Sequence, residues 1–218
     1  WAKTVAALPP LQREAQEAYI AHLVGELRAV AVLADSRRQP ARAGAGRGEA
    51  AAAVNREELN DDGRILVGRN PEGIVDHSVD VLRVDDLEGQ PIAVLVGYAA
   101  HPVVMGMDSE LFSPDYPGVV RRIVEAVTGA SCLFLTGAAG NQATWSFLQG
   151  DWGEKERMGG LIGCEAARVF FEVETRPHEV VREVGASLSG LALYRKEFSG
   201  GPTHRLLQAA TATVEVPL

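Results

Sequence analysis

The sequence predicts an α/β or α+β fold, a mixed β-sheet flanked by helices. Three observations predict it. Ile92–Val96 and Ser131–Leu135 are short, unbroken apolar runs of strand length. A turn-forming segment, Asp85–Gly89, joins the first run to another strand-like stretch, Val79–Val84, in the manner of a hairpin. Stretches of helix length lie between and around these strands, so the two kinds of element are mixed rather than segregated. With 218 residues, 46% of them hydrophobic and 23% charged, the chain can bury a core as a single domain over residues 1–218.

The first element is a helix over Leu11–Ser36. Pro9 and Pro10 stand at its start, where a missing N–H costs nothing, and Pro40 follows its end. Tyr19, Leu23, Leu27 and Val30 recur at helical spacing, widened by Leu11, Ile20 and Val24, with Glu14, Glu17, Glu26 and Arg28 on the wet side. The chain from 41 to 53 turns small, with Gly44, Gly46 and Gly48. It is either a strand that other backbone approaches closely or a flexible linker. From Val54 to Pro71 the sequence is turn-rich, with Asp61–Asp62–Gly63 and Asn70–Pro71 around a short apolar run at Ile65–Val67.

The hairpin comes next, its second strand running from Pro91 to Ala100. The lack of alternation in Ile92–Val96 predicts burial on both faces. Ser113–Pro114 caps a helix over Asp115–Val127, and Asp115 suits the positive end of its dipole. Ser131–Leu135 is a second buried strand. A helix over Lys155–Val173 follows, where Gly159, Gly160 and Gly163 permit close packing, and Glu183–Tyr194 and Ala209–Val216 read as the last strands.

Composition excludes several functions. The net charge of -8 argues against binding a phosphate backbone, so no nucleic-acid partner is expected. No apolar run reaches the roughly 18 residues of a membrane span. Cys132 and Cys164 are too few for a disulfide scaffold or a thiolate zinc cluster and read as small core residues. The chain starts at Trp1 with no basic-then-apolar leader, which reads as an internal piece of a longer protein.

His101 carries the most chemical information. It closes a strand in Tyr98–Ala99–Ala100–His101–Pro102, and Pro102 keeps its backbone extended. Its imidazole then leaves a rigid strand end in a fixed direction, as a metal ligand or general base requires. The plainer alternative is a buried histidine bonded to a carbonyl. The loop Gly137–Asn141 follows the other buried strand with almost no side chains, so its N–H groups can approach an oxyanion; otherwise it is a tight turn needing glycine dihedrals. Arg56, beside Asn55, is either a clamp for a carboxylate or oxyanion or a solvated surface residue. His22, His77, His178 and His204 have no spaced ligand partner, and His77 reads as structural or exposed. No His-Glu-x-x-His, Gly-x-Ser-x-Gly or phosphate-loop motif is present.

Several segments stand in a telling order: Asn55–Arg56, Gly73–Ile74–Val75–Asp76, Val79–Val84, Gly89–Gln90–Pro91–Ile92, Tyr98–Pro102, Ser113–Gly118 and Leu133–Asn141. Over roughly residues 54–142 this series resembles the catalytic domain of the neutral/alkaline ceramidase family and its bacterial ceramidase-like relatives. The resemblance implies a central part of a larger catalytic domain. It implies an exported bacterial zinc-dependent amidase of lipid metabolism, acting on N-acylsphingosine or a related linear N-acyl amide. It implies that His101 is a zinc ligand and that Arg56, Gly140 and Asn141 are catalytic residues. The family's other ligands, an upstream histidine in His-x-His-Ser-Gly-Pro and a downstream glutamate and tyrosine, have no match here. Where the family has Gly-Asp the chain has Gly140–Asn141, and Ala143 stands where ceramidases place a proposed nucleophilic serine.

Metal-activated water is then the expected mechanism. A binding module that keeps the fold without the chemistry is the alternative, as is an esterase or deacylase for small substrates. The geometric expectation is that the His101 side chain and the Gly140–Asn141 backbone share a cleft within about 10 Å, with Arg56 reaching it. With one ligand in place, this chain alone is expected to bind zinc weakly.

Overall fold

The computed structural model describes residues 5–183, 190–199 and 211–213. The chain divides into two units, Trp1–Pro40 and Ala41–Leu218. The first contains α1, Pro10–Ser36, which begins one residue before the expected start and has Pro9 at its N-cap. The Arg37 N–H closes its last turn on the carbonyls of Leu33 and Ala34. None of the helix residues is buried.

In the second unit the strands are β1 (Arg42–Glu49), β2 (Ala53–Leu59), β3 (Ile65–Asn70), β4 (Ser78–Asp85), β5 (Pro91–Tyr98), β6 (Ser131–Thr136), β7 (Gln142–Thr144), β8 (His178–Arg182) and β9 (Tyr194–Phe198). The helices are α2 (Asp115–Thr128) and α3 (Trp152–Glu172). One sheet has the order β1-β4-β5-β6; only its β5–β6 pair is parallel. That mixed pairing, with helices packed on it, gives an α+β fold.

The glycines of β1 settle its open choice in favour of a strand. A Cβ on Gly46 would stand 2.7 Å from Val173 Cγ2 and 2.9 Å from Val169 Cγ1, so only glycine lets α3 approach this closely. The helices meet in the same way: a Cβ on Gly159 would stand 2.8 Å from the Tyr116 carbonyl. Val79, Val81, Val94, Val96 and Cys132 from the sheet close the core with Val120, Val124, Met158, Ile162 and Phe170 from the helices. At the end of β4, Arg83 bonds both carboxylate oxygens of the buried Asp85 at 2.9 Å and stacks 4.3 Å over the Phe170 ring.

Two expectations need correction here. The second face of β5 is only half-buried, and β6 is covered on one face only; Leu133 and Leu135 on its other face are 49% and 53% exposed. The cause is that α2 and α3 pack on each other and on the same side of the sheet. The stretch Val54–Pro71 is a hairpin rather than a string of turns. Charged residues on the exposed outer half of β2 masked that strand; β2 and β3 turn at Asn60–Gly63 with Gly63 at φ +81°. The second sheet has the order β3-β2-β7.

The third sheet pairs β8 with β9, so strands flank the expected span Glu183–Tyr194; residues 184–189 lie outside the described ones. The expected strand Ala209–Val216 also falls outside them, apart from 211–213, which are irregular. No described helix is long and apolar enough to cross a membrane.

Candidate functional site

The three-residue strand β7 brings the sequence-predicted residues together. On one side it pairs with β2 through Asn55–Gln142, Val54–Ala143 and Ala53–Thr144. On the other, His101 forms a parallel bridge with Ala143, and its N–H donates to the Gln142 carbonyl at 3.0 Å. Arg56 and His101 therefore flank the same short strand, and Gly140–Asn141 leads directly into it.

Arg56 is neither free in solution nor idle. Its Nε and Nη2 donate to the Gly140 carbonyl at 3.0 and 2.9 Å, and its backbone N–H donates to the Asn141 carbonyl at 2.8 Å. Gln142 completes the grip on the loop: its Nε2 donates to the Ala138 carbonyl at 3.0 Å and its N–H to the Ala139 carbonyl at 3.2 Å. All four carbonyls of Ala138–Asn141 thus accept hydrogen bonds from Arg56 or Gln142. Each peptide unit pairs a carbonyl with the N–H of the next residue; of the four units, the Gln142 N–H is spent on Ala139, and the N–H groups of Ala139, Gly140 and Asn141 are left available to a ligand. The N–H groups of Ala138, Ala139, Gly140 and Asn141 donate to no other described residue. Gly140 itself is not forced by crowding, since a Cβ there would meet nothing within 4 Å; Gly137, beside Ala99, is the tight position.

The start of α2 holds His101 in place. Tyr116 Oη donates to the Ala100 carbonyl at 2.7 Å, just before the histidine, and Asp115 Oδ2 accepts the Met105 N–H at 2.9 Å, just after it. Asp115 has φ +52°, a left-handed backbone uncommon outside glycine, and its Oδ1 accepts the Tyr116 N–H at 2.7 Å. This corrects the expected cap: Pro114 occupies the N-cap without a side-chain bond, and Ser113 Oγ accepts from Asp115 one residue on.

Burial pushes the Tyr116 hydroxyl well above its ordinary pKa, and burial likewise pushes Tyr98 up to about 12. Both stay protonated, and Tyr98 Oη donates to the Ala50 carbonyl while accepting from Ala52 N–H. The Asp76 carboxyl is held below its ordinary range chiefly by the Ser78 N–H.

His101 Nδ1 is buried and has no hydrogen-bond partner among the described residues. The plainer alternative of a ring bonded to a carbonyl is therefore not what Nδ1 does. His77 Nδ1 and Thr144 Oγ1 are buried and unpartnered in the same sense. His77 was expected to be structural or exposed, and its half-buried ring follows Asp76, whose N–H is bonded to Gln142.

Among solved structures the chain is similar to neutral ceramidase from Pseudomonas aeruginosa, at 19% identity and a TM-score of 0.52, covering 68% of this chain and 26% of that one. It is also similar to a ceramidase complexed with C2, at 21% identity and a TM-score of 0.52, covering 68% of this chain and 25% of that one. The fold is ceramidase-like. The chain spans about a quarter of the length of those ceramidases. No family model and no curated protein sequence matches it.

Within this ceramidase-like fold the implied zinc finds a partial fit. The unpartnered Nδ1 of His101 is a fitting donor, but no group of three or more His, Cys, Asp or Glu among the described residues could hold a metal ion. Ala143, where the resemblance places a serine, is fully buried and lies directly opposite His101. Sequence reading missed the residues that build the site rather than line it. Asp115 and Tyr116 were visible inside the Ser113–Gly118 motif, whereas Gln142 carried no signal.

Proposed function

We propose that the chain is part of a ceramidase-like hydrolase that cleaves an N-acyl amide, N-acylsphingosine or a related lipid amide, at the edge formed by His101, β7 and the 138–141 loop. The observation that carries this reading is that Arg56 and Gln142 occupy four consecutive loop carbonyls, leaving N–H groups without partners, beside a histidine whose ring nitrogen is buried and unpartnered among the described residues. The N–H groups of Ala138–Asn141 would receive the negative charge that develops on the substrate carbonyl oxygen, the task of an oxyanion hole. Arg56 would act mainly by holding that loop, because Nε and Nη2 are already bonded to Gly140. Zinc is the cofactor this reading calls for; His101 would hold it with ligands from beyond the described residues, and it would supply water activated near neutral pH.

Zinc analysis of the full-length protein and of His101→Ala tests this. The expected result is bound zinc in the first and its loss, with activity, in the second. Equal zinc and activity in both would remove His101 from the site.

A second reading, a binding module with the fold but without the chemistry, is favoured by Ala143, which offers no hydroxyl opposite His101. It predicts a protein that binds an N-acyl amide and releases no fatty acid from it.

A further inference from the structure

We propose that Gln142 is a positioning residue that fixes His101 against the 138–141 loop; this rests on the reading of that edge as a hydrolytic site. Gln142 is 4% exposed, and each of its polar groups is engaged. Its Oε1 accepts the Asp76 N–H at 2.6 Å and its Nε2 donates to the Ala138 carbonyl at 3.0 Å. Its carbonyl accepts the His101 N–H at 3.0 Å and its N–H donates to Ala139 at 3.2 Å. One residue therefore ties together three segments distant in sequence: the approach to β4, the strand end that carries His101, and the loop.

The chemistry needs a primary amide. A primary amide donates and accepts from one planar group whatever the pH, and the longer Gln spans from Asp76 to Ala138. An ionised Glu keeps the acceptor and faces the Ala138 carbonyl with a like dipole; a Leu of similar size offers neither bond. Because the main chain of Gln142 holds the His101 N–H, any shift of its side-chain anchors passes to the histidine. Loss of the side-chain bonds also leaves the Asp76 N–H and the Ala138 carbonyl without partners.

The test uses Q142L and Q142E in the full-length protein, read by amide hydrogen exchange and by hydrolysis of a short-chain N-acylsphingosine. In Q142L, exchange at Asp76 and His101 is expected to quicken about tenfold or more while Leu82 and Leu95 in the β4–β5 pair stay as in wild type. Its kcat is expected to fall about 100-fold with KM within about threefold, the pattern of a misplaced group rather than weaker binding. Q142E, which keeps the acceptor, is expected to preserve Asp76 protection yet still lose kcat, and it serves if Q142L does not fold. Unchanged exchange at Asp76 and His101 in Q142L, or exchange that quickens equally through the hairpin, would overturn the positioning role. A wild-type protein that cleaves no N-acyl amide would remove the hydrolytic reading alone, and the exchange pattern would still decide whether Gln142 positions His101.

Discussion

The two larger sheets of the second unit are held by different physics. The four-stranded sheet β1-β4-β5-β6 is fixed by area: valines of β4 and β5 and Cys132 of β6 meet Met158, Ile162 and Phe170, and glycines let the α3 helix come close. In the β3-β2-β7 sheet β7 and the inner half of β2 are buried but carry mostly small or polar side chains, and β3 is largely exposed. This sheet is fixed by hydrogen bonds to the main chain instead, from Arg56, Asn55 and Gln142, with Asn55 Nδ2 donating to the Ile74 carbonyl at 3.0 Å. Apolar packing is non-directional and tolerates small shifts, whereas hydrogen bonds fix atoms in direction as well as distance. The candidate site lies where the second kind of bonding holds the loop, and the first kind supplies the rigid base.

The largest effect that sharpens this contrast is expected at Phe170, which is 1% exposed. Phe170→Ala should destabilise the unit by about 3–5 kcal/mol, read by urea unfolding, with amides of β4, β5 and α3 losing protection together. Arg56→Met should cost less, about 1 kcal/mol, because Gly140 is exposed and water replaces much of the lost bond. Its effect should be local, confined by hydrogen exchange to β7 and β2, and under the proposed hydrolytic reading it should be large on turnover. A global loss of protection in Arg56→Met would erase the distinction between the two sheets.

The smallest effect is electrostatic and lies on the surface of α3. Arg157 and then Ser146 hold the Glu154 carboxyl down to about 2, against an ordinary value of 4.5. A lowered folded-state pKa means stability that is present above the unfolded value and lost as pH falls through the folded one. Thermal unfolding should therefore show a shallow decline between about pH 4.5 and 2 that Glu154→Gln flattens. An unchanged slope would show that the pair is screened out in solution.

Much of the fold was legible because its signals were local. The β4–β5 hairpin follows from apolar runs around Asp85–Gly89, and Gly89 does adopt a positive φ of +91°. The α3 helix starts three residues before its expected start, at Trp152, because Asp151 caps it by accepting from Gly153 and Glu154 N–H groups. Less legible was β1, where the glycines that mark close approach equally mark a linker, and only Val169 and Val173 on a distant helix decide between them. The β2 strand was missed because its outer half, Arg56–Leu59, is not buried and carries no apolar alternation.

For the site, His101 and the loop were readable from strand ends and small residues. Gln142 was not, because its meaning lies in bonds to Asp76, His101 and Ala138, which no spacing rule connects. Arg56 was found for its charge, but its bonds to Gly140 give it a loop-holding part that the sequence did not indicate.

The central claim is that His101 and the 138–141 loop are one site. Its most direct test is titration of the full-length protein, followed by NMR, with a phosphonamidate that mimics the tetrahedral geometry of amide hydrolysis. The claim predicts that the His101 ring signals and the N–H signals of Ala138–Asn141 shift together with a single common Kd. Shifts at the loop alone, at His101 alone, or at both with different Kd values would contradict it.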